Sequence, residues 1–197
     1  AEAYAEMGLS LVGIDCDLGE ASVQIASDSY SIGELATRRL IDDGCSRILC
    51  LRSNSRMRMP ANKRTDAYLD VVEQAGLPAL VREVEFVKPD DEKSAVVAKI
   101  LDENPDIDGI FAGDDTMAAI CLNVMKQRGL SAPDDIKVVG ADGARRTMTF
   151  MPDLTTVRQD IDRIGELAAQ SIIALINGEK PESNIKLPVE LIEGKTA

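Results

Sequence analysis

Residues 106–143 read DIDGIFAGDDTMAAICLNVMKQRGLSAPDDIKVVGADG. The apolar run at 107–112 predicts a strand. Residues 116–128 predict a helix, with Gly129 just beyond its end. Residues 136–139 predict a second strand. Strands that flank a helix of this length pair in parallel, because a parallel return needs a long crossover and a hairpin does not. Right-handed crossovers then place helices on both faces of the sheet.

The same alternation continues outward. Upstream, residues 9–14 predict a strand. Asp28 can cap a helix whose apolar face is Ile32, Leu35, Ala36 and Leu40, ending at Gly44. Residues 48–51 predict a strand. The helix expected over 61–75 carries Ala67, Tyr68, Val71, Val72 and Ala75 on one face, and Gly76 and Pro78 stop it. A strand at 81–87 and a helix at 90–103 follow. Downstream, a loop spans 141–153 and a strand 154–157. Asp160 opens a helix carrying Ile161, Ile164, Leu167, Ala168, Leu175 and Ile176, and Gly178 ends it. A final strand is expected at 185–192. The fold class is α/β, with parallel sheets flanked by helices.

Composition narrows the function. The chain of 197 residues is 45% hydrophobic and 28% charged, a globular balance. Its net charge of −12 repels phosphate backbones, so these residues are not expected to bind DNA by themselves. Histidine is absent, which excludes Ser-His-Asp and Cys-His nucleophiles and any His-ligated metal. Cys16, Cys45, Cys50 and Cys121 form no C-x-x-C pair, and reduced thiols in a cytoplasmic protein fit best. No apolar run is long enough to span a membrane. The first eight residues contain no signal peptide and read as the tail of a helix, so residues upstream are expected.

Ligands of open parallel sheets bind beyond the carboxyl ends of the strands. Those ends carry Asp15 and Asp17; Arg52, Ser53, Asn54, Arg56 and Arg58, with Arg64 in the next helix; Asp114 and Asp115; and Asp142, Arg145 and Arg146. Carboxylates accept from hydroxyls and Arg donates through a rigid fork, which suits a polyhydroxy ligand. Plainer roles compete. Asp28, Asp115 and Asp160 sit where helix caps sit. Arg52, Arg56 and Arg58 fit a solvated loop, and Asp142 between Gly140 and Gly143 fits a turn. Arg64 opposes the helix dipole, which points to an acidic partner or a ligand. An enzyme reading also stands. Asp15 and Asp17, Ser53, Lys88 or Lys93, then Asp114 and Asp115 follow the order of a Mg²⁺-dependent haloacid-dehalogenase-type phosphatase. Gly19 stands where that pattern has Thr, and no phosphate-binding glycine loop is present.

Five segments carry a family resemblance: "VGIDCDL" at 12–18, "IASDSYSIGELATRRLIDDGCSRILCL" at 25–51, "KRTDAYLDVVEQAGLP" at 63–78, residues 106–143, and "MPDLTTVRQDIDRIGELAAQSIIALINGE" at 151–179. Together they resemble the effector-binding core of lactose/galactose-repressor-type transcription regulators. "PDDIKVVGAD" followed by "PDLTTVRQ" is the most specific part. The resemblance implies a two-lobed periplasmic-binding-protein-like fold, with an N-terminal lobe of 1–45 plus 159–184 and a C-terminal lobe of 46–158 plus 185–197. It puts the crossings near Cys45-Ser46, Arg158-Gln159 and Asn184. It leaves the first lobe incomplete, without the family's opening strands or its helix-turn-helix.

The resemblance also implies a cytoplasmic homodimer that takes a small sugar or related polyhydroxy effector between the lobes. DNA would be bound only through a helix-turn-helix outside these residues. The ligand-binding residues it implies are Arg64, Asp142, Asp114, Asp28 and Gln159, with no catalytic residue, metal or cofactor. Three positions depart from the family pattern: Ala67 for Gly, Asp114 for the Asn of an "ND" pair, and Gly143 for a second Asp. The Asp114 change disfavours an acidic ligand. A solute-binding protein of a sugar transporter is the alternative on the same fold.

Overall fold

The computed structural model describes residues 7–16, 18–19, 22–54, 62–85 and 87–197. Its elements run β1 (Val12–Ile14), β2 (Val23–Ser27), α1 (Ser29–Asp42), β3 (Ile48–Asn54), α2 (Asn62–Gln74), β4 (Leu80–Glu85), α3 (Asp90–Glu103) and β5 (Gly109–Ala112). Then come α4 (Asp115–Gln127), β6 (Lys137–Asp142), α5 (Arg145–Phe150), β7 (Thr155–Gln159), α6 (Ile161–Ile176), β8 (Asn184–Leu187) and β9 (Val189–Ile192). The strands form two sheets, ordered β1-β2-β8 and β4-β3-β5-β6-β7-β9. All pairings are parallel except β7 with β9. An antiparallel edge strand on a parallel sheet is a common arrangement.

Period-two alternation explains how the large sheet is covered on both faces. Leu49, Ile110 and Val138 point into a cluster with Val97, Ile100, Met117 and Cys121 of α3 and α4. Their chain neighbours Cys50, Phe111 and Val139 point the other way, against Ile32, Ala36 and Leu40 of α1 and Tyr68 and Val72 of α2. Strands buried on both sides read as the unbroken apolar runs seen in the sequence. The buried Tyr68 hydroxyl donates to the Ile48 carbonyl at 2.7 Å and accepts from the Leu80 amide at 2.8 Å, joining α2 to two strands. In the small sheet, Val23 and Ile25 pack with Ile164, Leu167 and Leu175 of α6. Met7, Leu9, Ile14, Ile161, Ile173 and Ile176, all in β1, α6 or the segment preceding β1, are exposed.

The lobe boundaries expected from the sequence are corrected in two places. α1 follows β2 of the small sheet, but its apolar face packs against β5, β6 and β7 of the large one. The first crossing is therefore at Asp28, not at Cys45-Ser46. An amphipathic pattern shows which face of a helix is buried but not which sheet buries it. The strand expected at 185–192 is two strands. β8 pairs with β2 and β9 pairs with β7, and Pro188 stands between them. Proline cannot donate to a ladder, which suits the point where the chain changes sheets. That crossing moves from Asn184 to Pro188. The middle crossing falls after Gln159, between β7 and α6. The sequence reading also missed β2 and placed α5 within a loop.

Candidate ligand-binding site

β3, β5, β6 and β7 lie side by side, so their carboxyl ends form one edge. Ser53 is the last residue but one of β3, Asp114 follows β5, Asp142 ends β6 and Gln159 ends β7. Arg64 comes to this edge from the first turn of α2. It is 9% exposed. Its two terminal nitrogens donate to the Gly113 carbonyl at 2.5 Å and to Asp142 Oδ1 at 2.9 Å. An arginine opposing a helix dipole needs such compensation, because a buried cation without a partner is costly. The Gln159 amide also donates to Asp142 Oδ1, at 2.6 Å. Arg64, Asp142 and Gln159 thus form one hydrogen-bonded cluster where the chain leaves the large sheet.

Asp142 is held at φ 101°, a region that non-glycine residues rarely adopt. Its side chain keeps 32% of its exposure while that of Arg64 keeps 11%. The cluster is therefore anchored on the Arg64 side and open on the Asp142 side. Asp114 neighbours it: Oδ1 caps α4 by accepting from the Met117 amide at 2.8 Å, and Oδ2 accepts from the Ser53 hydroxyl at 3.3 Å. The cap expected at Asp115 is one residue earlier. Asp28 joins none of these groups. It caps α1 through the Ser31 amide at 3.2 Å and pairs with Lys186 of β8 at 2.8 Å. Burial pushes its carboxyl up, but Lys186 and Ser31 outweigh burial and hold it below the ordinary value of 3.8.

A hollow of about 410 Å³ lies beside two of the crossings, lined by Gly143, Arg145, Arg158, Gln159, Pro188 and Glu190 among others. It meets the cluster at Gln159 and reaches Gly143 beside it, while Arg64, Asp142 and Asp114 lie outside its lining. The wall is rich in charged groups of both signs, as a polar ligand requires.

The residues of the phosphatase order are divided between the two sheets. Asp15 follows β1 of the small sheet, where it accepts from the Ser27 amide at 3.2 Å, whereas Ser53 lies in β3 and Asp114 follows β5 of the large one. Asp17, Arg56 and Arg58 lie outside the described residues. Among the described residues no group of three potential metal ligands occurs. Sequence reasoning misjudged Asp115, which is 3% exposed and bonded to both Thr156 and Gly143. It did not single out Lys186 or Thr156 at all, because no local pattern shows that a polar residue in a strand will meet an acid from another element.

Residues 37–197 match the family described as the periplasmic binding protein-like domain. The ribose operon repressor of Halalkalibacterium halodurans is 30% identical over 195 residues, covering 98% of this chain and 58% of its own length. The sucrose operon repressor of Pediococcus pentosaceus is 31% identical over 198 residues, covering 100% of this chain and 60% of its own length. This chain therefore spans less than two thirds of those curated relatives. Among solved structures, a periplasmic binding protein/LacI transcriptional regulator from Alkaliphilus metalliredigens, complexed with D-xylulofuranose, superposes with a TM-score of 0.87 at 25% identity, covering 100% of this chain and 73% of that one. The two sequence relatives are operon repressors, not transport proteins, which favours the regulator reading over the solute-binding one.

Proposed function

Since the chain belongs to the periplasmic binding protein-like domain family, we propose that it is the sugar-sensing core of a transcription regulator. It takes a small sugar or related polyhydroxy compound at the carboxyl edge of the large sheet. The observation that carries this reading is the cluster of Arg64, Asp142 and Gln159. Both donors use Asp142 Oδ1, and among the described residues none donates to Oδ2. A partly exposed carboxylate with one oxygen fixed and the other open is an acceptor for a ligand hydroxyl. Asp114 adds a second acceptor on the adjacent strand end. Two carboxylates side by side favour a neutral polyol over an acid. Asp28, at the first crossing, would reach the ligand from the other side as the lobes close.

The three crossings at Asp28, Gln159 and Pro188 are the hinge in this reading, and closure around the ligand is the signal. Operator contact belongs to a helix-turn-helix outside these residues, carried by a cytoplasmic homodimer whose two-fold symmetry matches a palindromic site. No catalytic step, metal or cofactor is assigned. A thermal-shift screen with D-ribose, sucrose, cellobiose, polyols and sugar acids tests the reading. A ligand that binds only the folded state raises the melting temperature. At least one neutral sugar should give a saturable rise. A screen in which only sugar acids do so would overturn the assignment of the acceptor pair.

A further inference from the structure

Asp115 opens α4 and is almost fully buried, yet it caps nothing. Its carboxylate reaches in two directions. Oδ1 accepts from the Thr156 hydroxyl of β7 at 2.6 Å, and Oδ2 accepts from the Gly143 amide at 2.8 Å. One side chain therefore ties a helix start, a neighbouring strand and the turn that carries Asp142.

The segment Gly140-Ala141-Asp142-Gly143 is shaped around that carboxylate. A Cβ on Gly140 would lie 2.5 Å from Asp115 Oδ1, so only glycine leaves room for it. At Gly143 the backbone turns with φ 57°, and a Cβ there would lie 2.7 Å from Arg158 Cβ. Asp142 sits between them in its own rare backbone conformation, which persists only where the surroundings impose it. Its side chain is held by Arg64 and Gln159, and the hydrogen bond from the Gly143 amide restrains the backbone directly after it.

We propose that Asp115 is a positioning residue for the ligand grip, holding the Gly143 amide so that the Asp142 carboxylate stays directed at the bound hydroxyl. This rests on the reading of the strand edge as a sugar site. The charged groups that act on Asp115 are Asp142 from β6 and Asp114, the cap of its own helix, with Arg64 of α2 linked through its pair with Asp142. Burial pushes the Asp115 carboxyl up, the Thr156 hydroxyl opposes this, and Asp142 adds to it, leaving it at about 6. That range makes its link to Gly143 visible in solution.

The test follows the Gly143 amide peak by ¹⁵N NMR in the unliganded protein from about pH 5 to about pH 8, across the range in which the buried acid titrates. The peak should move with a midpoint near that of Asp115 and stop titrating in Asp115→Asn, where the amide oxygen still accepts from Gly143. In Thr156→Val the midpoint should rise, because a donor to the charged form is lost. A Gly143 peak that is static in the wild type, or that still titrates in Asp115→Asn, overturns the proposal. Calorimetry with whichever of D-ribose, sucrose or cellobiose binds the wild type gives the functional readout. Asp115→Ala should lose about tenfold or more in affinity and Asp115→Asn about threefold or less, the ratio expected when a buried amide loses its acceptor. Equal affinity in the Ala variant and the wild type also overturns it. If none of these sugars binds the wild type, the sugar reading fails while the NMR titration still decides the role of Asp115.

Discussion

Gly33→Ala should be strongly destabilising although it places a better helix former inside a helix. Gly33 lies in α1 where that helix crosses α2. A Cβ there would sit 2.1 Å from the Arg64 carbonyl oxygen, 2.8 Å from its carbonyl carbon and 2.9 Å from its Cα. These are backbone atoms of a helix, so no side chain can swing aside. Restoring an ordinary contact needs about 1 Å of separation between the helices or more. α1 has no slack to provide it, because Ile32, Ala36 and Leu40 are fully buried against the large sheet. Overpacking of this kind costs about 1–3 kcal/mol, and more where backbone stands on both sides. The gain in helix propensity offsets about 1 kcal/mol. We expect a net loss of about 2 kcal/mol or more, read as a fall in the urea midpoint of about 1 M at unchanged slope. The strain falls on Arg64 itself, so affinity for the sugar should drop as well. A Gly33→Ala protein within about 0.5 kcal/mol of the wild type, the range of a surface substitution, would refute the close helix crossing.

Tyr68→Phe should cost about 1–3 kcal/mol by urea denaturation, because it leaves the Leu80 amide without its buried acceptor; no loss would mean that water replaces the hydroxyl. The buried Asp115 carboxyl makes stability depend on pH. Its folded value is raised from 3.8 to about 6, so its contribution is present below 3.8 and is lost as pH rises through about 6. The full effect is about 3 kcal/mol, of which about 1–1.5 kcal/mol falls between pH 5 and pH 7.5. The stability of Asp115→Asn relative to the wild type should increase by that amount over this interval; a pH-independent difference would show an ordinary carboxylate.

Much of the architecture was legible because sheet burial leaves a pattern. Residues 107–112 read as a strand since both faces of β5 are buried, and α4 and α6 announced themselves through periodicity and their terminal glycines. The family resemblance read from five segments is borne out by relatives that are operon repressors. Tertiary partnership was less legible. The apolar stripe of α1 is equally suited to either sheet, and only the packing shows that it covers the large one. β2 is short and was hidden beside the Asp28 cap. The split at Pro188 does have a local signal, since a proline cannot donate to the ladder of a continuous strand. At the site, strand ends indicated where to look, and the resemblance singled out Arg64, Asp142 and Gln159, which the fold brings together. Asp115 was misread as a cap because two adjacent acids at a helix start look alike in sequence. Their roles separate only when Asp114 turns to Met117 and Asp115 to the turn after β6.

The central claim is that Arg64 and Asp142 grip one sugar together. The most direct measurement is calorimetric titration of the best neutral sugar from the screen into the wild type, Arg64→Ala and Asp142→Ala. Truncating a buried charged contact costs about 2–5 kcal/mol, or about 30-fold to several-thousand-fold in affinity. Losses of that size in both variants, with cooperative unfolding retained, are what this account predicts. Affinities within about twofold of the wild type in both, as for a solvated surface residue, would contradict it and put the pocket elsewhere on the molecule.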